Sequence, residues 1–149
     1  MLFRSLCPVH AQDPGVIQGL RPLRPVQVVY LRLCGGCHGI QGVSAPELVP
    51  TLKNEVGRFL CTPESRDYVV RLPNIALAPV SDAMLAQLLN FVVFGMGRAS
   101  VPAGAPQYDA VEIARLRQRP ITSDLYAYRQ NILAEVRGCA RRRGVAGAR

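Results

Sequence analysis

The sequence has no hydrophobic run long enough to cross a bilayer. Its longest apolar stretch, Met84 to Met96, is interrupted by Gln87 and Asn90, whereas a membrane-spanning helix needs about 20 consecutive apolar residues. Aromatic residues make up only 6% of the chain, and no helix-turn-helix or RNA-binding signature is evident. We therefore expect no membrane span and no nucleic-acid partner.

Lysine is nearly absent. Lys53 is the only one, so arginine supplies 17 of the 18 basic residues. Residues 1–104 carry nine basic and six acidic groups, and residues 105–149 carry nine and four, so the net charge of +8 divides into +3 and +5. A basic surface attracts polyanions or an acidic protein partner. The hydrophobic fraction of 49% and the charged fraction of 19% are typical of a folded globular chain.

What the chain does contain is a C-x-x-C-H string, formed by Cys34, Cys37 and His38. This string is typical of c-type haem attachment. Two intervening residues on a helical turn place two thiols at about the separation of two porphyrin vinyl groups, and the next imidazole can bind the iron as the proximal ligand. Random placement of five cysteines and two histidines produces the string in roughly one of 500 shuffled chains.

Other kinds of site also use C-x-x-C. A thioredoxin-like redox site belongs near a βαβ pattern, and none is visible around this string. A zinc site needs a second pair of ligands, but Cys7, His10, Cys61 and Cys139 stand singly. Haem attachment is therefore the favoured interpretation, and two structural cysteines are the alternative. In an oxidising compartment Cys61 and Cys139 could pair as a disulfide.

The chain divides into three parts by composition. Residues 1–25 contain four prolines and predict an extended N-terminal arm. Residues 26–97 are expected to form a helical domain around the string. Residues 98–149 are expected to form a linker and a basic helical C-terminal extension.

The apolar pattern predicts five helices, with loops over residues 39–52 and 73–80. Ser81 is the expected N-cap of the third helix. Thr122 or Ser123 is the expected cap of the last one. The predicted helices cover residues 26–33, 64–72, 82–94, 109–119 and 123–137.

This arrangement resembles that of class I c-type cytochromes, in which a first helix leads into C-x-x-C-H and a C-terminal helix crosses the first. Residues 26–94 fit this plan, and Phe91 matches the aromatic residue of the C-terminal helix that packs on the first. The resemblance implies an all-α fold, with a class I cytochrome c-like helical domain around one covalently attached haem c. It implies an electron-transfer protein rather than an enzyme.

The resemblance also assigns roles near the string. Cys34 and Cys37 match the thioether cysteines, and His38 matches the proximal ligand of the haem iron. Pro50 matches the loop proline whose carbonyl accepts a hydrogen bond from the proximal imidazole, a contact that orients the ring and raises its basicity. Pro46 is the alternative for this role.

The resemblance fails at the sixth iron ligand. In this family a methionine in the loop before the C-terminal helix usually supplies it, and residues 73–80 contain none. Met84 lies in the first turn of the predicted helix, where a methionine is more often a core side chain. It is a candidate ligand only if that helix begins unusually. Asn74 and His10 are weaker candidates, and Met96 lies beyond the helix end. We expect an open or weakly occupied sixth site.

Three functions fit these expectations. The first is a one-electron carrier with a periplasmic dehydrogenase or oxidase as redox partner, in which residues 105–143 dock on the haem domain or on that partner. The second is a haem protein with an open sixth site that binds small ligands, and the third is a haem relay subunit of a larger complex. Periplasmic localisation is expected, although the apolar part of residues 1–11 is too short for a signal peptide.

Overall fold

The computed structural model of the chain describes residues 22–44 and 49–142. The predicted arm up to residue 21, with Cys7 and His10, lies outside the described residues, and so does Pro46. All regular structure in the described ranges is helical, with no strand. The predicted all-α fold class is therefore confirmed for this part of the chain.

Seven α-helical segments, together with shorter π-helical and 3-10 segments, make up most of the described chain. The first two are joined by a π-helical turn over Leu31–Gly35, so that one continuous helical stretch leads into and through the string. A second π-helical turn, Phe91–Met96, extends the fifth helix, and a 3-10 helix, Val56–Cys61, precedes the third. The helices are α1 Pro25–Tyr30, α2 Gly36–His38, α3 Pro63–Arg71, α4 Pro73–Ala76, α5 Asp82–Asn90, α6 Ala110–Leu116 and α7 Leu125–Arg142.

Side-chain caps explain where several helices begin. The hydroxyl of Ser81 accepts a hydrogen bond from the Met84 amide at 3.2 Å, so the predicted N-cap of α5 is confirmed. Asp109 caps α6 in the same way. At α7 the expected cap is wrong: Asp124, rather than Thr122 or Ser123, accepts the Ala127 amide. A carboxylate at this position also interacts favourably with the helix dipole.

The helix before the string packs on the helix that ends the predicted haem domain. Tyr30 in α1 is almost completely buried, and its ring meets that of Phe91 edge-on, with centroids 5.7 Å apart and planes at 70°. Edge-to-face pairs of this kind contribute about 0.5–1.5 kcal/mol beyond their buried area. The contact expected of Phe91 with the first helix is thus present.

One hydrophobic cluster extends across the sequence boundary at residue 97. Leu85 and Leu88 of α5 share it with Ile113 and Leu116 of α6 and with Val136 of α7. All five side chains are almost completely buried. Helices α6 and α7 are therefore part of the same packed body as the helices before residue 97. A disulfide between Cys61 and Cys139 joins the two parts covalently.

Arginine side chains reinforce this packing. Arg66 of α3 forms a two-pronged ion pair with Glu112 of α6, at 2.7 Å for both contacts, and lies over the Tyr108 ring. Arg71, at the end of α3, donates to the Arg119 carbonyl. Such charge-assisted bonds specify geometry more strongly than neutral ones.

None of the helices in the described ranges is both long and apolar enough to cross a membrane.

Candidate haem-attachment site

The string lies on the helical stretch that the sequence predicted. Cys34 belongs to the π-helical turn, and Cys37 and His38 belong to α2. π-helical turns inside α-helices are frequent at functional sites. The helix ends at Gly39, whose φ of +74° lies in the left-handed region. A Cβ atom there would collide with the Val43 carbonyl oxygen, so only glycine fits this position.

A hydrogen bond fixes the ring of His38. Its Nδ1 lies 2.9 Å from the carbonyl oxygen of Pro50. A carbonyl oxygen can only accept, so Nδ1 carries the proton and donates. In the neutral ring, Nε2 then bears the free lone pair, which is the form in which an imidazole binds a metal. The structure therefore brings together His38 and the proline that the resemblance selected.

The turn between these two residues is fixed by further hydrogen bonds. The Tyr30 hydroxyl donates to the Gly39 carbonyl at 2.7 Å. The amides of Leu52 and Lys53 both donate to the Gly42 carbonyl, at 2.8 and 2.9 Å. The turn after the string is therefore tied to α1 on one side and to the residues just after Pro50 on the other. Burial raises the pKa of Tyr30 above its ordinary value.

The thiols of the string are not paired with each other. Cys34 is half-buried and Cys37 is exposed, and both are free, whereas Cys61 and Cys139 form a disulfide elsewhere. Burial, and to a lesser degree the charge of Cys37, raises the pKa of Cys34. The four described cysteines thus fall into one pair of free thiols at the string and one disulfide that joins two parts of the fold.

The surface around the string is unusually apolar. Leu33, directly before Cys34, is exposed, as are Ile40 and Val43 in the turn that follows the string. Single exposed apolar side chains are ordinary, but a group of them is typical of a surface that another apolar group covers. The region of the string therefore offers two thiols for covalent attachment, one imidazole as a metal ligand, and exposed apolar side chains that an attached group can cover.

A cleft separates the helical stretch from the segment before α5. Val29, Arg32 and Leu33 line one side and Pro79 and Val80 the other, and the enclosed space measures about 10 Å³, which is room for about one water molecule. Leu77, in the same segment, is 71% exposed. The predicted loop over residues 73–80 lies here, and its first part forms the short helix α4.

The methionines do not favour a ligand role. Met84 lies in a regularly capped first turn of α5, with its amide bound to Ser81. The unusual helix start that would release it is therefore not present. The Met96 sulfur packs against Gly42, in the turn that follows the string. Asn74 is exposed in α4. In the described part of the chain, no three His, Cys, Asp or Glu side chains converge as a metal-binding group.

The positive charge of the C-terminal part is divided between interior and surface. Arg117 and Arg129 form hydrogen bonds to other parts of the fold, whereas Arg115, Arg119 and Arg137 are exposed. The inward role of Arg117 has no signal in the sequence, because its partners lie more than 30 residues away.

Comparison with known proteins gives no match: no family model, no curated protein and no solved structure is significantly similar to this chain.

Proposed function

We propose that this protein is a monohaem c-type cytochrome resembling class I cytochromes, and that it carries single electrons to or from a periplasmic redox partner such as a dehydrogenase or an oxidase. In this proposal Cys34 and Cys37 attach one haem c, and His38 binds its iron. The observation that carries the proposal is the hydrogen bond from Nδ1 of His38 to the Pro50 carbonyl.

That bond matters because it selects one state of the ring. It fixes the tautomer with Nε2 free, and it limits rotation of the imidazole about its bond to the main chain. Donation to a carbonyl also raises the basicity of the opposite nitrogen, which strengthens its bond to a metal.

The other residues of the site fit a covalently attached haem. The two free thiols are spaced on one helical stretch, and the exposed Leu33, Ile40 and Val43 surround them with apolar surface. When bound, haem c supplies a one-electron iron couple whose potential depends on the axial ligands and on burial. The chain's own contribution is to orient His38, cover the macrocycle and present its edge to a partner.

A second candidate function is the binding of a small ligand at an open sixth site. The observation that favours it is the regular start of α5, which engages Met84 in the helix, together with the absence of methionine from residues 73–80. Without a thioether ligand the iron potential is expected to be lower, and the sixth site is open to a small molecule.

The test is expression in a host that attaches haem outside the cytoplasm, followed by absorption spectroscopy and mass measurement of the denatured protein. We expect one haem that stays bound after denaturation. The variant with Cys34→Ala and Cys37→Ala should lose it. The matched control, Cys61→Ala with Cys139→Ala, also removes two cysteines but should retain the haem.

Carbon monoxide then separates the two candidates. If the ferrous spectrum shifts with CO in the wild type and in Met84→Leu alike, the sixth site is open. A spectrum that is insensitive to CO, with a charge-transfer band from iron–sulfur ligation, supports a pure electron carrier. Absence of covalent haem from the wild type under conditions that load other C-x-x-C-H proteins contradicts both candidates.

A further inference from the structure

One arginine of the C-terminal extension binds the segment that precedes α5. The guanidinium of Arg117, just after α6, donates to three main-chain carbonyls, those of Ala76 at 2.9 Å, Ala78 at 2.6 Å and Val80 at 2.9 Å. It also donates to the Asp82 carboxylate at 2.8 Å. We name residues 76–82 the bound segment.

This arrangement uses the geometry of arginine in full. The guanidinium is planar and carries five N–H donors in a rigid fork, and here it reaches three alternate carbonyls and one carboxylate. The side chain is 19% exposed. Among the contacts of the described residues, the carbonyls of Ala76 and Val80 have no other hydrogen-bond donor. These two carbonyls of the bound segment therefore depend on Arg117 for their hydrogen bonds.

The bound segment borders the site. Pro79 and Val80 face Val29 and Leu33 across the cleft, and Leu33 directly precedes Cys34. A movement of the segment would therefore change the width of this cleft, whose other side is formed by the helical stretch that carries the two thiols. The amides of Ala76, Leu77, Ala78 and Val80 donate to carbonyls two to four residues earlier in the chain. These bonds are local, whereas those from Arg117 join the segment to the end of α6.

We propose that Arg117 is a positioning residue for the haem site. It fixes the bound segment as a rigid wall of the cleft, and it thereby sets how readily a small molecule reaches the iron on the side away from His38. This inference rests on the proposed function, because the cytochrome resemblance is what relates residues 73–80 to the sixth-ligand side of the iron. It gives the C-terminal extension a role inside the haem site that is separate from any contact with a partner.

The test compares two arginines that lie close together in the chain. Arg117→Gln removes the fork, whereas Arg115→Gln removes the same charge from an exposed side chain of α6 that has no hydrogen bond among the described residues. Two quantities are measured on each haem-loaded protein. The first is amide hydrogen exchange across the bound segment, and the second is the rate of CO association with the ferrous form after flash photolysis.

In Arg117→Gln we expect exchange in the bound segment to accelerate by roughly tenfold or more, which corresponds to about 1.4 kcal/mol. The rate of CO association should increase at least about threefold, because a wall that moves more freely opens the cleft more often. Arg115→Gln should change neither. If Arg117→Gln does not fold, Asp82→Asn removes the charged partner alone and should shift both quantities in the same direction by less.

Exchange and CO rates that are unchanged in Arg117→Gln overturn the inference. Faster exchange with an unchanged CO rate also overturns it, because the segment would then be bound by Arg117 without forming a wall of the site. A wild-type protein that carries no covalent haem overturns the proposed function instead, and the wild-type spectrum establishes this before any variant is compared.

Discussion

The disulfide between Cys61 and Cys139 is expected to contribute a large part of the stability of the fold. It joins the end of the 3-10 helix before α3 to α7, over a sequence separation of 78 residues. The loss of loop-closure entropy in the unfolded chain, about 2.1 + 1.5R ln n cal/mol/K, is then about 15 cal/mol/K, or about 4.5 kcal/mol at 25 °C. Measured values are commonly 2–4 kcal/mol.

The variant with Cys61→Ala and Cys139→Ala should therefore have a free energy of unfolding that is lower by about 2–4.5 kcal/mol. For a chain of this length that lowers the midpoint temperature by roughly 7–15 °C. The assay is thermal or urea unfolding followed by far-ultraviolet circular dichroism. Reduction of the wild type should reproduce the shift and leave the double variant unchanged, because thioether bonds to haem resist the reductant. A loss below about 1 kcal/mol would refute the loop-closure reasoning.

Other predictions concern the turn after the string and the buried phenols. Gly39→Ala should lower the free energy of unfolding in urea by more than about 1 kcal/mol, because φ is +74° at this position and a Cβ atom would collide with Val43. Gly36 lies in a helix with open space around it, so Gly36→Ala should be neutral or stabilising by up to about 1 kcal/mol. Tyr30→Phe removes the bond to the Gly39 carbonyl and should cost about 0.5–1.5 kcal/mol in the same assay. Burial raises the pKa of Tyr30 and Tyr108, so the unfolded state, which loses these protons near pH 10, binds fewer protons than the folded one above that pH. The free energy of unfolding should therefore fall as pH rises beyond about 10. The absorbance of the phenolate forms should increase only as the chain unfolds. Ionisation of these two phenols near pH 10 in the folded protein would contradict their burial.

The helices could be predicted from the sequence because the interactions that set their ends involve residues close together in the chain. Ser81 begins α5 through a bond three residues along the chain, and Pro73 follows the end of α3. A contact of Phe91 with the first helix was expected from the family resemblance, and the structure identifies Tyr30 as its partner. The bond from His38 to Pro50 followed from a family pattern over a short loop.

The rest depended on long-range packing. Nothing near Arg117 in the sequence indicates that its partners are residues 76–82, and an arginine is by default expected at the surface. The predicted extension was expected to dock on the haem domain or on a partner, and Ile113 and Val136 pack into the common core. Local composition shows where a linker begins, but it does not show whether the chain after the linker folds back onto the body.

The separation of the four described cysteines into two pairs has a consequence for how the protein is made. Contact between two residues three apart forms faster than contact across 78 residues, because the entropy of loop closure grows with loop length. During oxidative folding Cys34 and Cys37 are therefore kinetically favoured partners, although the folded chain leaves them free. Under the proposed function, maturation must keep this pair reduced until the haem is attached, while still allowing Cys61 to find Cys139. Maturation of this chain thus requires that one pair of cysteines is oxidised to a disulfide while the other pair stays reduced in the same compartment.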